Sequence, residues 1–183
     1  MIKIGSTYRI LLATFTIFIV FGISTLPSLA ANCPAAGIVK NAAVAFIDAA
    51  QRASAPAFAS ALVRHADVRG LAIFALGQYR KELRPARQSE YLKNTQTYMA
   101  RFLLDNAKSF RSSRDLMVEN CKGNLVETSL GGRSRMLWRV SGGRIRDVRV
   151  GGVWLAIQLR SKFTGIIRRN HGDIDALLAF LRR

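Results

Sequence analysis

After residue 114 the sequence changes from a helix-like to a strand-like pattern, and no other feature limits the possible folds as strongly. Four short runs rich in apolar residues follow one another at residues 116–121, 125–130, 133–140 and 144–150. Short links that contain glycine, such as Gly131-Gly132, separate them. Such links are typical of tight turns that tolerate positive φ, so the pattern predicts an antiparallel meander of about four strands.

Helix-like segments lie on both sides of this predicted sheet. Their apolar residues recur at intervals of three and four, with an interruption near Pro56. The predicted ranges are 36–66, 68–79, 86–110, 153–169 and a last segment that begins near Asp173. The predicted fold class is therefore α+β, with a curved antiparallel sheet packed against N-terminal and C-terminal helices.

The first thirty residues have the layout of a secretory signal. Lys3 and Arg9 precede an apolar stretch at residues 10–23, and small residues end the segment at Ala30. This layout predicts cleavage after Ala30 and export from the cytoplasm. An uncleaved anchor is the less favoured alternative, because the stretch is shorter than the roughly 20 residues that a membrane-spanning helix needs. We expect residues 31–183 to form a single domain.

The chain is strongly basic. Its formal net charge is +17, which falls to +15 without residues 1–30, because that segment holds two basic residues and no acidic one. Six arginines on two neighbouring predicted strands form a candidate basic patch, with a solvated face as the alternative: Arg133, Arg135, Arg139, Arg144, Arg146 and Arg149. Such a patch would attract an anionic membrane surface or acidic partners.

Two cysteines, Cys33 and Cys121, are present. Exported proteins meet an oxidising compartment, so we expect a disulfide that ties the start of the mature chain to the β region; two unrelated thiols are the alternative. The two histidines, His65 and His171, show no ligand spacing that zinc requires, and we predict neither a metal nor a cofactor.

Two blocks of residues resemble a known family. The first is Leu76-Gly77-Gln78-Tyr79, followed by Pro85 and the predicted helix that ends at residue 110. The second, longer block runs from Asp147 through Val150-Gly151-Gly152-Val153 and on to residue 178. In order and spacing these blocks resemble the MlaC family, the periplasmic phospholipid-binding proteins of the toluene-tolerance type that serve an ABC transporter.

The resemblance implies a carrier that encloses lipid tails in an apolar pocket between sheet and helices. It also implies an inner-membrane ABC transporter complex, and an outer-membrane lipoprotein complex, as partners of a monomeric protein that maintains the outer membrane. Ten residues are candidates for the pocket wall, with plain core as the alternative for each: Leu76, Tyr79, Tyr98, Phe102, Leu116, Val118, Leu137, Val148, Val150 and Val153.

Two features depart from the family pattern, and the first is the segment from Asn120 to Arg135, which matches nothing in that pattern. The second is a single position. Trp154 follows Val153 where the family usually has a small serine. A bulky indole there would narrow the pocket or form part of its wall. Because the family's relatives include proteins linked to hopanoid membranes, the resemblance also implies a hopanoid or another polycyclic lipid as the alternative ligand to a phospholipid.

Two other classes of function fit the sequence less well. A nucleic-acid-binding module would explain the charge, but the export signal and the absence of a recognised binding motif argue against it. An enzyme is not expected either, because His65 and His171 have no evident nucleophile partner and Gly-x-Ser-x-Gly is absent.

Overall fold

The computed structural model describes residues 33–107, 116–132 and 134–183. The predicted signal sequence and Arg133 lie outside these residues. The described chain runs from helices through a sheet and back to helices, which confirms the predicted α+β class.

Within the described residues, four α-helices and one short 3₁₀ helix precede the sheet. They are α1 (Pro34–Gln51), α2 (Ala55–His65), α3 (Val68–Ala75), the 3₁₀ helix (Gly77–Glu82) and α4 (Pro85–Asp105). Local chemistry fixes several of their starts. Prolines open α1 and α4, where the missing N–H costs nothing. Ser54 accepts a hydrogen bond from the Ala57 N–H at 3.2 Å and so caps α2.

The sheet is an open antiparallel meander in the order of the sequence. Its strands are β1 (Leu116–Lys122), β2 (Leu125–Leu130), β3 (Ser134–Ser141), β4 (Arg144–Val150) and β5 (Val153–Trp154). The register pairs Val126 with Trp138, and Trp138 in turn with Val148. Irregular steps interrupt the pairing after Val118 and after Arg139.

The fifth strand is an addition to the four that were predicted. Gly151 and Gly152 adopt positive φ values of 58° and 83°, which few other residues tolerate, and they reverse the chain in a two-residue turn. Val153 therefore pairs with Val150. The helix predicted from residue 153 begins instead as α5 (Leu155–Arg169), and α6 (Ile174–Arg182) follows it.

Two earlier helices are also shorter than predicted. The segment predicted as 68–79 leaves the α-helical conformation after Ala75, where Gly77 takes a positive φ of 55° and the 3₁₀ helix begins. The helix predicted as 86–110 ends at Asp105. Residues 108–110 of that prediction lie outside the described residues.

The helices pack against the sheet and against one another. In α1, alanines at buried positions let the helix lie close to strands β1 to β4. Helix α2 packs against both α1 and α4, and α4 also packs against α6. Tyr98 of α4 packs edge-on against Phe163 of α5 at 5.7 Å and meets Phe180 of α6 at 5.4 Å between ring centres. These rings join the three helices into one core.

A disulfide joins Cys33 to Cys121, as predicted, with the two Cα atoms 6.4 Å apart. It fixes the start of α1 to the edge strand β1. Within the described residues, no helix is both long and apolar enough to cross a membrane.

Candidate functional site

One face of the sheet, the inner face, is turned toward the helices. Because side chains alternate along a strand, the register assigns fourteen residues to this face. They are Leu116, Val118, Cys121, Val126, Thr128, Leu130, Ser134, Met136, Trp138, Val140, Ile145, Val148, Val150 and Val153. All but Cys121, Thr128 and Ser134 are large and apolar, and Thr128 is satisfied by the Trp138 indole N–H, which donates to its hydroxyl at 2.8 Å.

The inner face is covered unevenly. Its residues on the central strands β2 and β3, such as Val126 and Met136, are buried. On the flanking strands the apolar side chains keep accessible surface: Leu116, Val118 and Val148 are half-buried. The helices therefore cover the middle of this face more completely than its two sides.

The exposure is greatest at the corner where β4, β5 and α5 meet. Val150 and Val153 are each 44% exposed, and Ile157 in the first turn of α5 is 50% exposed. We call these three residues the rim patch. Large aliphatic side chains that share one corner without cover are an expected feature of a ligand entrance.

The apolar pattern of residues 153–169 predicts that Ile157 faces inward, and the structure shows otherwise. The buried stripe of α5 consists of Ala156, Leu159, Phe163, Ile166 and Ile167. Residue 157 lies about 100° around the helix from Ala156 and falls outside this stripe. The period of the stripe was a signal in the sequence that would have placed Ile157 on the surface.

The structure brings together half of the ten predicted pocket residues. Those on the inner face are Leu116, Val118, Val148, Val150 and Val153. Leu76 is fully buried, and Tyr79 and Phe102 are half-buried on the helical side. Tyr98 belongs to the aromatic core described above, where burial raises the pKa of its hydroxyl.

Leu137 lies on the opposite, outer face. It alternates with the buried Met136 and Trp138, and it pairs with Arg149 across β4. It therefore does not share a face with the other strand residues of the predicted set.

Trp154 is also on the outer face, where it pairs with Arg149. The guanidinium of Arg139 lies 4.4 Å from the centre of the indole ring, and that of Arg149 lies 5.6 Å away. These are cation–π distances. The indole thus does not point into the inner face, and the structure offers no support for a pocket narrowed by Trp154.

The arginines predicted to form one patch divide into two groups. Arg139 and Arg149 surround Trp154 on the outer face, with Arg135 on the same face. Arg144 and Arg146 lie at the other end of β4 and contact the α2–α3 junction, where Arg146 pairs with Asp67. The irregular pairing after Arg139 and the length of β4 separate the two groups.

A buried carboxylate holds the corner that carries the rim patch. Asp147 of β4 accepts hydrogen bonds from the backbone N–H of Val148 at 2.9 Å and of Ala156 at 3.0 Å. The second bond satisfies a free N–H in the first turn of α5. Burial raises the pKa of this carboxyl, against the lowering effect of the two hydrogen bonds and of Arg139.

The described residues hold no cluster of three or more side chains able to bind a metal ion. Two clefts, of about 390 and 400 Å³, lie beside α3, and none of the ten predicted pocket residues lines them.

Comparison of the sequence with models of protein families identifies the family of this chain. A family model described as MlaC protein matches residues 43–183, which is more than three quarters of the chain. The chain belongs to the MlaC family. The resemblance predicted from the two sequence blocks is thereby confirmed.

A solved structure shares the MlaC fold of this chain. It is the phospholipid-binding protein from Ralstonia solanacearum in complex with a phospholipid, with a TM-score of 0.67 and 16% sequence identity. The alignment covers 81% of this chain and 94% of that one. At this identity the likeness establishes the fold. Comparison with curated proteins gives no match.

Proposed function

We propose that this MlaC-family protein is a periplasmic carrier that binds a phospholipid, with the acyl chains between the inner face of the sheet and the helices. The observation that carries the proposal is the incomplete cover of the inner face. Val150 and Val153 continue this apolar face out to the surface, where each is 44% exposed. A phospholipid in complex with the Ralstonia protein of the same fold supports the assignment.

Energetics favour enclosure of the lipid. Two acyl chains contain on the order of 30 methylenes, and each costs about 0.8 kcal/mol in water, so roughly 20 kcal/mol opposes a naked lipid in the periplasm. An apolar slot removes most of this cost while the head group stays in water. No bond needs to form or break, and the carrier acts through shape and affinity alone.

We assign the transfer step to membrane-bound partners. An inner-membrane ABC transporter complex and an outer-membrane lipoprotein complex would be the two ends of the route, as in the transport system that the family name denotes. The rim patch would face these partners during transfer, because Val150 and Val153 are the exposed end of the inner face and Ile157 at the start of α5 is exposed as well.

Extraction of bound lipid tests this function. The chain is exported to the periplasm, purified without detergent and extracted with organic solvent for mass spectrometry. We expect about one phospholipid for each protein chain. A hopanoid in place of the phospholipid would contradict the ligand class, and an extract free of lipid would contradict the carrier function.

A further inference from the structure

Two neighbouring clefts beside α3 are lined by basic side chains. Asp67 and Arg69 line both clefts. We call the pair the basic groove. Four cationic side chains line it: Arg69, Arg80, Lys93 and Arg144.

The positive charge of the basic groove is not neutralised within the described chain. Its one acidic lining residue, Asp67, is paired with Arg146. Among the described residues, no carboxylate lies within ion-pair distance of Arg69, Arg80 or Lys93. The groove therefore presents a surplus of cations.

The structure also fixes the position of one of these cations, Arg144. Arg144 donates hydrogen bonds to the backbone carbonyls of Val63 at 2.8 Å and of Ala66 at 3.3 Å. Its guanidinium is thus held at the groove by backbone carbonyls, which carry no net charge. Nearby, burial lowers the pKa of His65, and the charges of Arg64 and Arg144 lower it further.

The basic groove is distant from the rim patch. Arg144 begins β4 and Val150 ends it, so six residues of extended strand, about 20 Å, separate the groove from the rim. A phosphate head group at the rim cannot reach Arg144 over this distance. The groove is therefore open to an anionic occupant other than the carried lipid.

The shape of the groove distinguishes between anionic occupants. A membrane surface is broad and meets a protein at convex regions, whereas these cations line concave clefts of about 390 and 400 Å³. Protruding carboxylate side chains fit such clefts, and the amides of Gln88 and Gln96 add hydrogen-bond donors beside the cations. We propose that the basic groove docks an acidic segment of a partner protein, rich in Asp or Glu.

A peptide-binding measurement tests the groove. The probe is a fluorescein-labelled decapeptide of alternating Glu and Gly, followed by anisotropy at physiological salt. The test variant is Arg69→Ala with Lys93→Ala, and the matched control is Lys40→Ala with Lys122→Ala, which removes the same charge from exposed positions on α1 and β1. We expect the test variant to bind about tenfold more weakly and the control to change less than about twofold.

Further measurements separate the effect of these two positions from effects of net charge and of unfolding. The charge-preserving variant Arg69→Lys with Lys93→Arg should retain binding, and equal thermal midpoints should show that all variants are folded. Equal losses in the test and control variants would overturn the proposal, since net charge alone would then explain binding. A test variant that keeps peptide binding but loses binding to phosphatidylglycerol vesicles would overturn it in favour of a membrane. Lipid content of the purified protein is independent of this result.

Discussion

At the scale of single residues, Asp147 connects the sheet to the site. Its carboxylate accepts N–H groups from β4 and from the first turn of α5, and so fixes the corner where Val150 and Val153 emerge. The neighbouring Arg139 instead lies over Trp154, 4.4 Å from the ring centre. The carboxylate therefore depends mainly on backbone donors.

Titration of Asp147 should be visible in the stability of the protein. Burial raises its folded pKa above the usual 3.8, so the folded state holds this proton more tightly than the unfolded state. By proton linkage, the tighter binding of this proton stabilises the folded state. This stabilisation is complete below the unfolded pKa of Asp147 and is lost as the pH rises through its folded pKa. We expect the free energy of unfolding, measured with urea, to rise relative to that of Asp147→Asn as the pH falls from 7 toward 4. A pH-independent difference between the two proteins would contradict the prediction.

Tyr91 makes a second connection at this scale. Its side chain is fully buried, and its hydroxyl donates to the Ala72 carbonyl at 2.6 Å. That carbonyl lies in the last turn of α3, where it has no partner within the helix. We expect Tyr91→Phe to lower the free energy of unfolding by about 1 to 2 kcal/mol, measured by urea denaturation. A loss of unfolding free energy below about 0.3 kcal/mol would contradict this prediction, because it would mean that a water molecule replaces the hydroxyl at the Ala72 carbonyl.

At the scale of elements, α1 and the sheet are held together by packing and by the disulfide. Cys33 and Cys121 are 88 residues apart in sequence. A cross-link over a loop of this length restricts the unfolded chain by about 4 kcal/mol. We expect Cys33→Ser with Cys121→Ser to lower the free energy of unfolding by roughly this amount. Reductant should destabilise the wild type to a similar extent and leave the stability of the double variant unchanged. A wild type that keeps its stability in reductant, or a double variant that loses stability, would contradict stabilisation by the disulfide.

The β4–β5 turn and α5 together create the rim patch. Val153→Asp places a charge where we propose that acyl chains enter, and we expect about a tenfold loss of affinity for phospholipid. Because Val153 is 44% exposed, stability should change little. The matched control is Val44→Asp on α1, where the valine is 69% exposed and outside the rim patch. Lipid transfer from labelled vesicles gives the measurement, and equal effects of both substitutions would exclude the rim as the entrance.

At the scale of the whole molecule, the sequence predicted the class of fold because the strand runs and helix periods are local signals. The glycine links fixed the meander, and the two family blocks fixed the relationship to MlaC. The faces of the sheet were harder to predict. Leu137 lies on the outer face because it alternates with Met136 and Trp138, and Trp154 lies there because it pairs with Arg149. A shift of one residue in register would reverse every side chain of a strand, and neither the fifth strand nor the irregular step in β4 was evident from the sequence.

The basic groove could not be predicted from the sequence either. Arg69, Lys93 and Arg144 come from α3, α4 and β4, which meet only in the folded chain. Their spacing in sequence carries no sign of a shared cleft. The sequence shows the surplus of positive charge, but its pattern predicts a patch on the strands and not a cleft between helices and strand.

The central claim is that acyl chains lie against the inner face of the sheet. A phosphatidylglycerol with a photoreactive diazirine at the end of one acyl chain, loaded into the protein and mapped by mass spectrometry after irradiation, tests this directly. The account predicts cross-links to inner-face residues such as Val118 and Val148. Cross-links to the outer face around Leu137, or spread evenly over the surface, would contradict it.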